Sequence, residues 1–125
     1  MNTDIKHKGK TLEDTKICNT FLSRAIGLMF SKPRAAILKA ESESIASTTI
    51  HTFFMRFAID AIWLDKDRTV VDIRRGIKPY TFLVAPKKKA MYILELPAQK
   101  RLRINIGDRL KTDSLERFLY FPYRL

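Results

Sequence analysis

The stretch Ile45 to Asp72, IASTTIHTFFMRFAIDAIWLDKDRTVVD, decides the fold. Within it, the apolar run Ala61 to Leu64 is short and unbroken and lies between Asp60 and Asp65, which predicts a strand buried on both faces. A polar break follows, and a second run, rich in β-branched residues, begins at Thr69. Together the two runs predict a hairpin at the centre of a β-sheet.

Shorter runs on both sides of this hairpin predict more strands and one helix. Apolar residues recur at helical spacing over 21–28, after a capping Thr20 and before Pro33, so a short helix is expected there. Residues 1–10 are polar and are expected to be loose. The other predicted strands lie at 12–18, 35–39, 45–54, 80–84, 90–96, 101–106 and 109–112. This pattern predicts a mainly β single domain, built as a sandwich or a barrel, with one short N-terminal helix.

Length and composition agree with one globular domain. The chain has 125 residues, of which 46% are hydrophobic, and its four glycines and five prolines exclude a collagen-like chain. A single cysteine, Cys18, excludes an intrachain disulfide and suits a reducing compartment. No apolar run has the length that a bilayer requires, and the N-terminus carries no apolar signal segment. A cytoplasmic protein without a membrane partner is therefore expected.

The charge balance is strongly basic. The formal net charge is +11, from 24 basic and 13 acidic side chains, and the basic residues lie in several short groups. Such a field attracts nucleic acid, anionic membrane or acidic ligands, although a soluble, charged surface is the favoured interpretation. Any nucleic-acid binding is expected to be weak, non-specific and sensitive to salt.

Few residues suggest catalysis, a metal or a cofactor. His7, Cys18 and His51 lack the close spacing of a zinc motif, and the glycines stand too far apart for a phosphate-binding loop, so neither a metal nor a cofactor is expected. His51 precedes the aromatic pair Phe53-Phe54 and is either a hydrogen-bonded rim residue or a ligand contact. Asp60 and Glu95 lie inside apolar runs and need partners, as members of structural ion pairs or as acid–base groups.

The sequence resembles the uncharacterised family known as domain of unknown function 192, also called uncharacterised protein family 0127, in its short archaeal form. The similar motifs run in order from about Thr15 to Thr112. They are Arg24-x-x-Gly27-Leu28-Met29, His51-Thr52-Phe53-Phe54-Met55, Ile59-Asp60, Leu64-Asp65, Val70-Val71-x-Ile73, Lys78-Pro79, Lys89-Ala90-x-Tyr92-x-Leu94-Glu95-Leu96-Pro97 and Ile106-Gly107-Asp108. The resemblance implies a compact β-sandwich or barrel of jelly-roll type with a short packed helix. It implies no activity.

Three functions compete on this basis. The leading one is a small binding domain for a small ligand, expected to be anionic, with candidate contacts from Arg24, His51, Phe54, Met55, Asp60, Tyr92 and Glu95. The second is a nucleic-acid-binding β-barrel that stacks bases on Tyr80 and Phe82. The third is an enzyme that uses His51, Asp60 and Glu95, although no catalytic motif is recognisable.

The C-terminal tail, residues 113–125, carries Phe118, Tyr120, Phe121 and Tyr123. Leaving such a cluster in water is unfavourable, so the tail is expected to pack on the domain or on a second subunit. The chain is accordingly expected to be a monomer or a homodimer.

Overall fold

The computed structural model describes residues 2–8, 10–18, 27–100 and 102–111. In this part of the chain six strands form one sheet in the order β1-β2-β3-β6-β4-β5. The strands are β1 Asn2–His7, β2 Lys10–Cys18, β3 Ala36–Ser44, β4 Ile59–Leu64, β5 Val70–Ile77 and β6 Ala90–Pro97, with a 3-10 turn at Ala46–Thr48. The predicted mainly β fold is confirmed. No helix of the described part has the length and apolar character needed to cross a membrane.

The predicted central hairpin is confirmed. β4 pairs antiparallel with both β5 and β6, and all six of its residues are buried. The turn between β4 and β5 is held by Asp65, whose Oδ1 accepts hydrogen bonds from the backbone N–H groups of Asp67 and Thr69 at 2.9 and 3.0 Å. β2 and β3 run parallel and every other neighbouring pair runs antiparallel, so the sheet is mixed.

Both faces of the sheet are covered by apolar side chains. On one face lies the inner cluster, formed by Ile5, Ile17, Ala35, Ile37, Ile62, Leu64, Val70, Tyr92, Leu94, Leu96, Ile104 and Leu110. On the other lies the outer cluster, formed by Cys18, Leu28, Ala36, Leu38, Ile50, Met55, Phe57, Ile59, Ala61, Trp63, Ile77, Val84, Ala90 and Ile93. β4 contributes alternate residues to the two clusters, which is why its apolar run is unbroken.

The two edges of the sheet are joined by one late segment. Lys111 forms a bridge with Lys6 in β1, and Arg109 forms a bridge with Thr69 at the start of β5. The backbone N–H of Lys6 donates to the Lys111 carbonyl at 2.8 Å, and the N–H of Lys111 donates back at 3.2 Å. Because this segment contacts both edge strands, it partly closes the sheet in the manner of a barrel, and it protects edges that would otherwise be open.

The N-terminus corrects one prediction. Residues 1–10 were expected to be loose, but Asn2–His7 forms the edge strand β1, and Ile5 is buried in the inner cluster. A polar edge strand resembles a loop in sequence, because its side chains face solvent on one side. The predicted helix over 21–28 lies mostly outside the described residues. Only Gly27 and Leu28 of this range are described, and both lie in a turn. The C-terminal tail also lies outside them.

Three other predicted strands are wrong. Residues 45–54 and 80–84 form loops that share the single bridge Ile50–Val84. The alternating residues after Arg101 form no strand either, although Ile104 is buried. Two carbonyl groups of this segment accept hydrogen bonds from a side chain and not from a neighbouring strand. Arg75 Nη2 donates to the carbonyl oxygens of Leu102 and Ile104 at 3.3 and 3.4 Å.

Candidate functional site

Six ring-bearing side chains form a connected surface on three loops above the outer cluster, here called the aromatic face. Its members are Phe30, His51, Phe53, Phe54, Tyr80 and Phe82. Phe30, Tyr80 and Phe82 are 60%, 60% and 67% exposed, and Phe54 is 46% exposed. Large aromatic side chains are normally buried, so a contiguous exposed group of them marks an interaction site.

The rings contact one another in an unbroken series. Phe54 lies between Phe30 and Tyr80, with ring centroids 5.3 and 5.8 Å away. Phe53 lies 6.4 Å from Tyr80 and 5.7 Å from Phe82, and it also contacts His51 at 5.2 Å. These separations and the tilted or edge-on arrangements are those of favourable aromatic pairs. The face is therefore held together by its own contacts and still leaves ring surface open to solvent.

A buried hydroxyl group joins two of the three loops. Thr52 is fully buried, its Oγ1 donates to the Lys78 carbonyl at 2.7 Å, and the same oxygen accepts from the Thr81 N–H at 2.8 Å. The carbonyl of Thr52 accepts from the N–H of Tyr80 at 2.8 Å and from that of Met55 at 3.2 Å. Thr52 thus fixes the relative position of the loops that carry Phe53, Phe54 and Tyr80.

Replacing Thr52 by valine is expected to loosen the aromatic face. Valine has the same shape but removes both side-chain hydrogen bonds, which leaves a buried N–H without its acceptor and should lower the free energy of unfolding by about 2 kcal/mol. Chemical denaturation measures this loss, and amide exchange should accelerate at Tyr80 and Thr81. Thr49→Val is the matched control, because Thr49 is only half-buried and makes one bond, to the Ile45 carbonyl at 3.0 Å. Equal losses in the two variants would contradict this role of Thr52.

The backbone beneath the face is strained. Phe30, Phe54, Tyr80 and Leu83 adopt positive φ angles of 59°, 61°, 63° and 48°. Left-handed backbone costs a residue other than glycine roughly 1–2 kcal/mol, and bulky side chains rarely adopt it. All four of these residues are also large and exposed. Strain of this kind concentrates at functional sites, where the position of the side chain matters more than stability.

The charged side chains on the loops of the aromatic face are all basic. The three segments that carry the rings, 27–34, 50–58 and 78–84, contain no Asp or Glu. They contain Lys32, Arg34, Arg56 and Lys78, of which all but Arg34 are exposed. Positive side chains on these loops favour the approach of an anion.

His51 is fixed at the margin of the face. Its Nδ1 accepts a hydrogen bond from the backbone N–H of Phe53 at 3.1 Å. In the neutral ring the proton must then be on Nε2, which can donate to an anionic group. His51 is exposed, so this donor is accessible to a ligand.

The first buried carboxylate, Asp60, has a structural pairing. Its Oδ2 lies 2.9 Å from Arg75 Nη1, and its Oδ1 accepts from the Gly76 N–H at 2.9 Å. Arg75 also donates to the carbonyl oxygens of Leu102 and Ile104, as described above. Because Ile104 belongs to the inner cluster, the Asp60–Arg75 pair lies on that side of the sheet. Asp60 therefore ties β4 to the end of β5 and to the segment after β6.

The second buried carboxylate, Glu95, lies on the opposite side of the sheet. Its partners across the strands are Ala36 and Ala61, both in the outer cluster. Burial raises the pKa of Glu95 to about 7, and the positive charge of Lys16 opposes the rise in part. Burial likewise raises the pKa of the neighbouring Cys18 thiol to about 11, so this cysteine is a thiol and not a nucleophile at neutral pH.

The structure brings only some of the sequence-predicted site residues together. His51 and Phe54 share the aromatic face, and Met55 is buried in the outer cluster below it. Asp60 and Tyr92 lie on the inner-cluster side, and Glu95 is buried in the sheet. Arg24 lies outside the described residues. Among the described residues no group of three His, Cys, Asp or Glu side chains could hold a metal ion.

Two members of the aromatic face, Phe30 and Phe53, were not among the contacts predicted from the sequence. Phe30 follows the Gly27-Leu28-Met29 motif, and Phe53 belongs to the motif that begins at His51. An aromatic residue in an apolar run is usually buried, so the run itself does not indicate exposure. The signal that could have identified Phe30 is the polar sequence that follows it, Ser31 to Arg34, which does not suit a buried strand or helix.

Comparison with known proteins places these motifs in a family context. Residues 3–112 match the sequence model of the family DUF192, described as "Uncharacterized ACR". A UPF0127 protein of Pyrococcus furiosus is 39% identical over 112 residues, which cover 86% of this chain and 95% of the relative. A UPF0127 protein of Thermococcus kodakarensis is 41% identical over 114 residues, which cover 87% of this chain and 71% of the relative.

Two solved structures have a similar fold. The crystal structure of a protein of unknown function from Novosphingobium aromaticivorans has a TM-score of 0.74 at 19% identity, covering 88% of this chain and 83% of that chain. A crystal structure from Sinorhizobium meliloti has a TM-score of 0.75 at 19% identity, covering 90% of this chain and 94% of that chain. At this identity the likeness concerns the fold alone.

Proposed function

The chain belongs to the DUF192 family, also called UPF0127, and we propose that within this family it acts as a binding domain whose aromatic face takes an anionic ligand that carries a flat ring. The observation that carries the proposal is the combination of exposed rings and strained backbone at one place. Four large side chains of these loops are exposed and also adopt left-handed backbone. A stable fold has no need of either feature, so a function that uses the rings explains both.

The chemistry of the face selects the class of ligand. Open ring surfaces favour a planar partner, which can stack on Phe54 or Tyr80. Exposed Lys32, Arg56 and Lys78, together with the Nε2 proton of His51, favour an anionic group on the same ligand. A nucleotide has both features, because it combines a planar base with a phosphate.

A titration followed by NMR tests this function with thymidine monophosphate as the probe. The backbone amides of Phe30, of residues 53–56, of Lys78 and of residues 80–83 are expected to shift together, because a stacked base alters the magnetic environment of adjacent groups. Thymidine and inorganic phosphate are the controls, since each carries one half of the proposed chemistry. Both should bind more weakly than the nucleotide. Shifts confined to other parts of the chain, or none at all, would contradict the proposed function.

A further inference from the structure

We infer that the natural ligand of the aromatic face is single-stranded nucleic acid; this inference rests on the proposed function and adds the class of ligand to it. Binding would be independent of base sequence, because stacking and phosphate contacts do not read the edges of bases. Three observations support the inference: the number of exposed rings, the cations that lie beside them in the sequence, and the positive charge of the chain as a whole.

The number of rings exceeds what a small ligand can use. Four aromatic side chains with large exposed fractions, Phe30, Phe54, Tyr80 and Phe82, come from three separate loops. Phe30, Phe54 and Tyr80 contact one another in series, and Phe82 joins them through Phe53. A mononucleotide has one base, which covers one or two of these rings and leaves the others in water. A strand with several bases can stack on successive rings, and each stacked base contributes binding energy of its own.

The cations are interleaved with the rings in a regular way. Lys32 follows Phe30 by two positions, Arg56 follows Phe54 by two, and Lys78 precedes Tyr80 by two. Each of the three loops thus presents at least one exposed ring and one exposed cation. A single strand repeats one base and one phosphate along its length, so it can offer bases to the rings and phosphates to the cations of the same loops.

The chain as a whole supports an anionic polymer as the ligand. Its formal net charge is +11, and the next turn after the face carries Lys87, Lys88 and Lys89. All three of these lysines are exposed, although Lys89 also lies 3.7 Å from Glu43. A duplex does not suit the rings, because its bases are stacked on one another and offer no free faces.

Fluorescence anisotropy with labelled oligothymidylates tests the inference on the full chain. A labelled oligothymidylate of eight nucleotides is expected to bind at least tenfold more tightly than thymidine monophosphate, measured by competition. Its affinity should fall about 20-fold between about 50 and about 200 mM salt, as expected if about three phosphates are neutralised. Equal affinity for the oligonucleotide and the mononucleotide would overturn the inference and leave the proposed function standing. Binding of neither would overturn both.

Two variants separate stacking from general charge. Phe82→Leu keeps an apolar side chain but removes one ring, and it should weaken oligothymidylate binding at least fivefold, since about 1 kcal/mol is lost with one stacked base. Ile106→Ala removes an equally exposed apolar side chain outside the face, where Ile106 is 62% exposed, and it should leave the affinity unchanged. Equal affinities of Phe82→Leu and wild type would overturn the inference. So would tighter binding of a thymidine–adenine duplex, or binding to anionic phospholipid vesicles without binding to the oligonucleotide.

Discussion

Replacing Glu95 by glutamine is expected to raise the free energy of unfolding by about 3 kcal/mol at pH 8. The Glu95 pKa rises from 4.5 to about 7 on folding, chiefly because burial disfavours the charged carboxylate. The folded state therefore binds more protons than the unfolded state over this range, and the stability of the wild type falls as pH rises from about 4.5 to about 7. Glutamine has the same size and no charge, so it removes this loss.

The difference in the free energy of unfolding between Glu95→Gln and wild type should depend on pH, and this dependence identifies the Glu95 charge as its cause. Near pH 4 the carboxyl group is protonated in the folded protein, and the two proteins should have nearly equal stability. Above pH 7 the full difference should appear, as about 1.4 kcal/mol for each unit of pKa displacement. Guanidinium denaturation over a series of pH values measures both limits. Glu43→Gln is the control, because Glu43 is only half-buried and its carboxylate faces Lys89 at the surface. A difference between Glu95→Gln and wild type that does not change with pH would contradict the account.

Replacing Trp63 by alanine is expected to cause the largest loss of stability, about 3–5 kcal/mol. Trp63 is fully buried in the outer cluster, and its Nε1 donates to the Thr48 carbonyl at 2.7 Å. The substitution leaves a cavity in the outer cluster and a buried carbonyl without its donor. Because Met55 and Ile50 also belong to this cluster, the loop that carries Phe53 and Phe54 should lose support as well.

A graded series makes this prediction specific. Trp63→Phe keeps most of the apolar volume and loses only the indole N–H and part of the ring, so it should cost about 1–3 kcal/mol. Ile106→Ala, at an exposed apolar position, should stay within about 0.5 kcal/mol of wild type. Urea denaturation of the three variants measures the order. A loss below about 1 kcal/mol for Trp63→Ala would show that the outer cluster does not depend on this side chain.

The parts of the fold that depend on neighbouring residues could be predicted from the sequence. β4 and β5 form a hairpin, so the apolar run at 61–64, the polar turn and the β-branched run after Thr69 were sufficient to identify them. β6 was also predicted almost to its boundaries, because its apolar run ends at a proline. In each case the signal lies within about ten residues along the chain.

The parts that depend on distant residues could not be predicted in the same way. Residues 101–106 alternate like a strand in sequence. Arg75 nevertheless donates hydrogen bonds to the carbonyl groups of Leu102 and Ile104, and no local sequence pattern predicts that contact. β1 is polar and becomes a strand because it pairs with β2 and is bridged to Lys111. These contacts span up to about a hundred positions, which local periodicity does not report.

The candidate site illustrates the same limit. The sequence drew attention to His51 and Phe54, and both lie on the aromatic face. It also grouped Asp60, Tyr92 and Glu95 with them, although these lie on other parts of the sheet. Alternation explains why Asp60 and Tyr92 are separate, because both face the inner cluster, whereas the aromatic face lies above the outer cluster. Glu95 points to the outer side but is buried within the sheet. Without the pairing of the strands, the side of each residue was not known.

We propose that the strained aromatic face is kept for binding, and the substitution Tyr80→Gly is the sharpest test of this claim. Glycine removes an exposed ring and accommodates the φ angle of 63° without strain, while it adds freedom to the unfolded chain. The melting temperature should therefore stay close to that of wild type. On the same sample, the affinity for the oligothymidylate should fall at least fivefold. An unchanged affinity in a folded Tyr80→Gly protein would contradict the claim.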